Sequence, residues 1–336
     1  MGINNVRYLV TVIILFLSSI CYCQVIDTQF GKAEVLGLKH LKLQELLDLL
    51  SVKAPEISVD KCASTLKKIG FPDASIMRYY DEDGKFYSVV TIIEREYSKF
   101  VKYKNPLQYT LSTKKQWGKA IGIYNNNPIE FQIGLLKYKS DIVETNFDKQ
   151  KILKDLNKKV VIELWNFLKN RDRERDKDMA IWILNNDGNY LNRIIASMIL
   201  INFPESDLVW WSLIDALRDP VGRVCSTSEL VLKYFISNNR RKINWQPAVK
   251  SLNYLINGTN PFVFSTILKI ISETDVSENI IKYLFRESKG YLVLSYLKAQ
   301  HEKERAIAYD FLKKIFKKDF GNNVEKWEKY IINFVK

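Results

Sequence analysis

The sequence predicts a multidomain α plus α/β protein, in which a small β-α-α-β-β domain precedes an all-α array of antiparallel helix pairs. Residues 24–96 mix apolar residues at strand spacing with apolar residues at helical spacing. Residues 97–336 keep only the helical spacing, interrupted by short Asn, Asp, Gly and Pro clusters. Apolar residues make up 47% of the 336 residues, which favours real cores and excludes a disordered or collagen-like chain.

Residues 1–23 have the layout of a cleaved export signal. A short positive start precedes an apolar stretch at 8–17 and then small residues. We expect cleavage near Cys23, with Gln24 as the first mature residue, and therefore a periplasmic or secreted protein. The apolar run is shorter than the roughly 20 residues of a membrane-spanning helix, so none is expected in the mature chain. A lipid anchor, an uncleaved inner-membrane anchor and a cytosolic apolar helix are the alternatives.

The small domain is predicted from four segments in order. Residues 25–36 look extended, and residues 41–50 repeat apolar residues at helical spacing. A second helix runs through Cys62, Leu66 and Ile69 and ends at Gly70.

Two β-rich runs, SIMRYY and KFYSVVTIIE, complete this domain. They are joined by residues 81–84, where the Asp-Gly pair is typical of a hairpin. Acidic side chains in such a turn favour local hydrogen bonds, so we do not interpret residues 81–83 as catalytic carboxylates.

The segments GLKHLKLQELLDLL and GFPDASIMRYYDEDGKFYSVVTIIE together resemble the polypeptide-transport-associated (POTRA) domain in layout and in the Gly-Phe-Pro turn before the hairpin. The resemblance, over residues 24–96, implies an extracytoplasmic module that docks partners by strand addition at its sheet edge or through its helix face. A small α/β domain without a transport role is the alternative.

The remainder of the chain is predicted to be a helical array. The predicted helices are 117–124, 129–138, 160–169, 177–184, 193–203, 209–217, 224–236, 247–256, 262–271, 279–285, 291–299, 304–316 and 324–335. Short connections between amphipathic helices make sequence neighbours antiparallel, which is typical of a repeat protein.

Three of these helices share a repeated skeleton, in which a first residue is followed by a small residue three positions later and by Leu four positions after that. The copies are Arg193-x-x-Ala196-x-x-x-Leu200, Arg305-x-x-Ala308-x-x-x-Leu312 and the degenerate Cys225-x-x-Ser228-x-x-x-Leu232. The small residue allows two helices to approach closely, and the Leu fills the shared core.

Two further segments carry a family resemblance. LIDALRDPVGRV, with its Asp219-Pro220 stop, and the closing KKDFGNNVEKWEKYI make residues 160–336 similar to HEAT-like, or armadillo-like, α-solenoids, with a looser likeness over 97–160. That family usually has Arg where Cys225 stands, so the resemblance implies that the Asp-Arg ladder between repeats is interrupted there. Arg193 and Arg305 match the Arg position. The family's usual role is to hold a protein partner on a long helical face.

The charge distribution suggests which partners the array attracts. Residues 24–96 carry 10 basic and 12 acidic side chains, whereas residues 97–336 carry 40 and 26. We expect an exported, non-enzymatic scaffold that binds an envelope or secreted protein through this basic array. A nucleic-acid-binding protein of the DNA glycosylase type and a binder of anionic glycans or lipid surfaces are the alternatives, and so is a solvated surface without a ligand.

Local clusters give few candidate residues. The basic loop at 238–242 is a candidate for phosphate or carboxylate binding, with a merely solvated loop as the alternative. The alternating charges at 171–178 indicate a solvated helix start. The tryptophans of the array are interpreted as core residues, with a stacking surface as the alternative: Trp165, Trp182, Trp210, Trp211 and Trp245.

No catalytic constellation is visible in the sequence. His40 and His301 stand alone, and the motifs H-x-x-x-H, C-x-x-C, G-x-x-x-x-G-K and G-x-S-x-G are all missing. Cys62 and Cys225 each lie in an apolar helical pattern and are predicted to be buried free thiols. We therefore assign no catalytic, cofactor-binding or metal residue, expect no cofactor and do not expect an enzyme.

Overall fold

The computed structural model describes residues 25–28, 31–54, 59, 63–80, 84–105, 114–137 and 158–336. The predictions for the export signal at 1–23, for the turn at 81–83 and for Cys62 lie outside these residues. Within them, every helix is too short or too polar to span a lipid bilayer.

The chain begins with a four-stranded mixed sheet. The strands are β1 (Val25–Thr28), β2 (Gly31–Leu36), β3 (Asp73–Tyr80) and β4 (Phe86–Ile93), in the order β1-β2-β4-β3. The β2 and β4 strands are parallel, and the two outer pairs are antiparallel. Residues 25–36, which were predicted only to be extended, thus hold two strands. The predicted small α/β domain is confirmed, and it has one strand more than predicted.

Glycine marks both ends of β2 for a steric reason. A Cβ atom at Gly31 would lie 2.0 Å from the carbonyl oxygen of Phe86, and one at Gly37 would lie 2.1 Å from that of Ile92. Both glycines also have positive φ, where other residues are strained. The close approach of β4 therefore requires glycine at these two positions.

The sheet is covered on both faces. On one face, Val35, Val90 and Ile92 pack against α1 (Leu43–Lys53) and α2 (Ala63–Lys68). On the other face, Leu36 and Ile93 belong to the core of the helical array. This double cover explains why β4 is apolar almost throughout instead of alternating with polar residues.

An all-helical region follows the sheet. Its helices are α3 (Lys114–Asn126), α4 (Pro128–Lys137), α5 (Lys158–Lys169), α6 (Glu174–Asn186), α7 (Tyr190–Ile199), α8 (Asp207–Ala216), α9 (Gly222–Asn238), α10 (Val249–Asn257), α11 (Phe264–Glu273), α12 (Glu278–Arg286), α13 (Tyr291–Leu297), α14 (Glu302–Phe316) and α15 (Val324–Phe334). Each coincides with one of the predicted segments, which confirms the all-α second part. Short 3₁₀ helices at Gln246–Ala248 and Pro261–Val263 lead into α10 and α11.

The helices from α6 onward stand in two rows. A first row consists of α6, α8, α10 and α12, and a second row consists of α7, α9, α11 and α14. Sequence neighbours such as α6 and α7 pack across the rows, while α3 and α4 cover the second row at α7 and α9. Asparagine caps begin two helices, since Asn189 accepts from Leu191 N and Asn323 accepts from Lys326 N.

The repeated skeleton has a structural cause. Arg193 donates from Nη1 to the carbonyl oxygens six and five residues earlier, and Arg305 does the same from its own Nη1. The Sγ of Cys225 lies 3.1 Å from the carbonyl oxygen six residues earlier. The first residue of each skeleton copy therefore ties its helix to the turn before it.

Arg193 also connects consecutive helix pairs. Its Nε and Nη2 atoms donate to the two carboxylate oxygens of Asp219 at 2.8 and 2.9 Å. Both side chains are buried, and Asp219 lies in the turn of the following helix pair. This bidentate ion pair is the strongest polar geometry between charged side chains and fixes the two turns side by side.

Candidate functional site

The turns between the two rows of the array contact the sheet and the residues that directly follow it. Arg218 donates to the carbonyl oxygen of Lys102, and the backbone amide of Asn260 donates to Asp73. The backbone amide of Gln300 donates to Glu34. We call this contact between the sheet and the turns the seam.

Besides Asp73, the buried carboxylates Glu34 and Glu304 lie in the seam. Glu34 on β2 accepts hydrogen bonds from the amides of Gln300 and His301 and from the hydroxyl of Tyr87. Glu304 on α14 accepts from the hydroxyls of Tyr79 and Ser265.

These bonds satisfy the two carboxylates without a cation. The Ser265 hydroxyl donates to Glu304 and not to a histidine, so it lacks the general base that a serine nucleophile needs. The arrangement joins the sheet to the array and supplies no catalytic pair.

His301 lies between two tyrosine rings in the seam. Its ring stacks on Tyr79, with 4.0 Å between centroids and 24° between planes, and lies 5.0 Å from Tyr87. Within the described residues its buried Nδ1 atom has no hydrogen-bond partner. Burial lowers the pKa of the imidazole, and Lys303 lowers it further, while Glu34 and Glu304 oppose the shift.

This lowered pKa predicts an acid-sensitive seam. A histidine whose pKa is lower in the folded state than its ordinary value of 6.5 contributes stability above that pH, and the contribution is lost as the pH falls below it. We expect the unfolding free energy to decrease more between about pH 7.5 and pH 5.5 in the wild type than in His301→Gln. Urea titrations of both proteins measure this difference. Parallel pH profiles for the two proteins would contradict it.

One group of side chains in the described residues has the composition of a metal site. The ligand atoms of His40, Glu94 and Glu96 lie within 4.8 Å of one another. However, the Glu94 carboxylate accepts the backbone amides of Lys39, His40 and Leu41. The Nε2 atom of His40 lies 2.8 Å from a carboxylate oxygen of Glu96. Since donors surround Glu94, the group closes the loop after β2 and carries no metal assignment.

The basic loop at 238–242 is engaged within the chain. Arg240 contacts Glu273 at 3.4 Å, Arg241 contacts Asp207 at 2.6 Å, and Lys242 contacts Asp275 at 3.5 Å. Carboxylates of the array therefore take the place of an external phosphate or carboxylate at this loop.

The tryptophans divide into core and surface. Trp210 and Trp245 are fully buried, as predicted. Trp165 and Trp211 are partly buried and donate to backbone carbonyls. Trp182 differs from the prediction, because 46% of it is exposed. The other side of α6 already carries the buried Ala180, Ile183 and Leu184, and the helical period places Trp182 opposite them.

Exposed apolar side chains are concentrated in the first half of the array. Among the described residues, nine large apolar side chains are exposed. Three of them lie on the neighbouring helices α6 and α8, and we call these three the apolar patch: Met179, Trp182 and Leu208. Scattered exposed apolar residues are normal, but several on neighbouring helices indicate a binding surface.

Trp182 and Leu208 lie at the same height on neighbouring helices. Asn185 on α6 lies 3.4 Å from Ser212 on α8, which sets the two helices side by side. Trp182 precedes Asn185 by about one helical turn, and Leu208 precedes Ser212 by about one turn. Met179 lies about one turn before Trp182 on α6, so the three residues of the apolar patch lie close together.

Cys225 has no role in this surface. It is a free, buried thiol, and burial raises its pKa to about 12. A thiol that remains protonated at neutral pH is a poor nucleophile and a poor metal ligand.

Comparison of the chain with protein-family models, with curated proteins and with solved structures finds no match.

Proposed function

We propose that this protein is an exported, non-enzymatic scaffold, in which a POTRA-like sheet domain is joined to a HEAT-like helical array that holds a protein partner from the cell envelope or the secreted space. The apolar patch carries this proposal. Trp is the side chain most enriched at the energetic centres of protein interfaces, and Met adapts to irregular partner surfaces. Trp182, Met179 and Leu208 together supply such a centre on adjacent helices.

The HEAT-like assignment is supported by the repeated turn. Arg193 and Arg305 bond to the carbonyl oxygens five and six residues earlier in their own helix pairs. Asp219 and Pro220 form the stop between α8 and α9, and Asp219 pairs with the Arg of the preceding pair. This arrangement supports the connection between repeats that the resemblance implies, with Cys225 in place of one arginine.

The double cover of the sheet affects how a POTRA-like domain can act here. One face lies under α1 and α2, and the other lies in the seam against the array. Neither face is available to a partner. Since β1 still stands at an edge of the sheet, we place the partner on the array because of its exposed apolar side chains and not because the sheet is closed.

A pull-down from envelope extract tests the proposal. We expect the immobilised mature protein to retain a discrete protein, and Trp182→Ala combined with Leu208→Ala to reduce its retention by about tenfold or more. Substitutions of exposed residues generally change stability by less than about 0.5 kcal/mol, so the double variant should fold normally.

Tyr283→Ala is the matched control. Tyr283 is 38% exposed on α12, which belongs to the same row of helices but lies outside the apolar patch. This variant should retain the partner as the wild type does. If the patch variant retains the partner as well as the wild type does, the scaffold is refuted. It is also refuted if the bound species is DNA, polysaccharide or vesicles and its retention depends only on salt.

A further inference from the structure

A groove runs between α3 and α5 in the first half of the array. It consists of two lobes of about 390 and 490 Å³ that share the lining residues Lys119, Ile123 and Glu163. Each volume lies within the range of about 300–1,000 Å³ that is usual for small-molecule sites. The buried side chains of Phe131 on α4 and Leu164 on α5 give the groove an apolar floor.

The α3 wall of the groove is open along one helical turn. Gly118 and Gly122 line the first lobe, and a Cβ atom at either position would meet no other atom within 4 Å. Glycine weakens the interior of a helix relative to alanine, and no neighbouring atom requires it at these two positions. The wall therefore leaves room for a rigid ring to lie against the backbone of α3.

The groove has no free excess of charge. Arg171 donates to a backbone carbonyl oxygen and lies over the ring of Phe167, and Lys159 also has a partner within the chain. Among the described lining residues, the remaining charged side chains are Lys119 and Glu163, which have opposite signs and face each other. An uncharged ligand therefore matches the groove better than an anion or a cation does.

Side-chain carboxamides line both lobes. Asn126 and Asn127 lie in the first lobe, and Asn166 and Asn170 lie in the second. Within the described residues, the carboxamides of Asn126 and Asn166 have no hydrogen-bond partner in the chain. Each carboxamide supplies a donor and an acceptor side by side, which matches a pair of neighbouring hydroxyl groups.

The gap between Lys119 and Glu163 favours a hydroxyl over a peptide group. The Nζ atom of Lys119 lies 3.8 Å from a carboxylate oxygen of Glu163, which is too far for a hydrogen bond. A single ligand hydroxyl between them accepts from Lys119 and donates to Glu163 at the same time. A peptide N–H or C=O group forms only one of these two bonds. The pair is therefore better matched by a polyhydroxylated ligand than by an extended peptide.

We propose that this groove binds an uncharged oligosaccharide, with two successive sugar rings in the two lobes and their hydroxyls on the carboxamides and on the pair of Lys119 and Glu163. This activity goes beyond the proposed function, because it concerns a second surface and a second class of ligand. The apolar patch on α6 and α8 takes no part in it.

Isothermal titration calorimetry with defined sugars tests the proposal. The probes are cellotetraose, maltotetraose and N-acetylchitotetraose, and the reference for each is its fully O-methylated derivative. We expect saturable binding of at least one tetrasaccharide to the mature protein, with an affinity that hardly changes with salt because no net charge drives it. The methylated derivative has lost its hydroxyl donors and should bind about tenfold or more weaker.

Two variants locate the binding. Gly122→Leu fills the first lobe without a clash at its Cβ atom and replaces a glycine inside a helix, so it should fold at least as well as the wild type. It should weaken binding by about tenfold or more. Asn166→Leu keeps the size of an exposed side chain but removes its carboxamide, and it should weaken binding by about threefold or more. Ala306→Leu, at an exposed position on α14, should leave binding unchanged.

Three results would each overturn the proposal: no binding of any of the three tetrasaccharides, equal binding of their methylated derivatives, or full binding by Gly122→Leu. A neutral peptide of Gly-Asn-Ala repeats tests the choice of ligand class. If this peptide binds as tightly as the sugar, the groove does not select hydroxyl groups and the proposal also fails.

Discussion

Arg193→Ala should lower the free energy of unfolding by about 3–5 kcal/mol, since it leaves the buried Asp219 carboxylate without its partner. Asp219 is 3% exposed and accepts two hydrogen bonds from this guanidinium, besides one from the backbone amide of Val221. The substitution also removes the bonds from Arg193 to the turn before α7. Urea titration followed by far-UV circular dichroism measures the loss.

Arg305→Ala is the control for this prediction. Arg305 makes the same two bonds to its own turn, but it is more exposed, and within the described residues no carboxylate pairs with it. Its loss should cost only about 1.5–3 kcal/mol. If the two alanine variants are equally destabilised, the ion pair with Asp219 contributes nothing beyond the hydrogen bonds to the turn.

A double variant separates the contribution of the ion pair from the cost of leaving a buried carboxylate unpaired. Arg193→Ala with Asp219→Ala removes the unpaired charge together with its partner, so it should be no less stable than Arg193→Ala alone. A double variant that is much less stable would mean that Asp219 acts mainly through its bond to the amide of Val221.

The helices of the array could be predicted from sequence because each one is encoded locally. The buried residues of α12 recur at helical spacing, as Ile280, Ile281, Leu284 and Phe285, and Asn189 supplies a cap directly before α7. The skeleton of Arg193 and Arg305 could be predicted for the same reason, since the Nη1 atoms of both side chains bond to carbonyl oxygens five and six residues earlier.

The seam could not be predicted, because its partners are far apart in sequence. Glu34 bonds to Gln300, and Tyr79 bonds to Glu304, across more than two hundred residues. Two local signals nevertheless existed. Glu34 is a charged residue inside an apolar strand, and the run from Val89 to Ile93 is apolar on both faces of β4. Both features indicate a sheet that is covered twice.

The candidate surface was missed for a different reason. Treating the tryptophans as one group placed Trp182 in the core, whereas its position on α6 relative to Ile183 and Leu184 puts it on the solvent side. Leu208 occupies the corresponding side of α8. A test of each helix for its own apolar face would have separated these residues from the core tryptophans.

Cutting the chain between its sheet and its helical array is also expected to have a large effect on stability. A fragment of residues 97–336 should fail to fold into a stable monomer, because its core extends across the boundary predicted at residue 96. Leu36, Val89 and Ile93 belong to the array's core, and each buried side chain of this kind contributes roughly 1.5–3 kcal/mol. Their combined loss, roughly 4–9 kcal/mol, approaches the 5–15 kcal/mol that typically holds a domain folded.

The fragment also leaves polar groups of the seam unpaired. Glu304 loses the hydroxyl of Tyr79, and the buried Tyr296 loses Thr91. The cut itself falls inside the 3₁₀ helix Arg95–Phe100. We therefore expect the fragment to be insoluble, or soluble with strong binding of the dye ANS and without near-UV circular dichroism.

Co-expression of residues 24–96 with residues 97–336 distinguishes a missing interface from a failed fold. If the seam supplies the missing stability, the two fragments should form a soluble complex that size-exclusion chromatography resolves as one species. A fragment 97–336 that is monomeric alone and unfolds sharply within a few degrees of the full chain would contradict the prediction. Because deletion of either part is expected to unfold the other, loss of partner binding on truncation carries no positional information, and the binding surface has to be located with exposed single-residue variants such as Trp182→Ala.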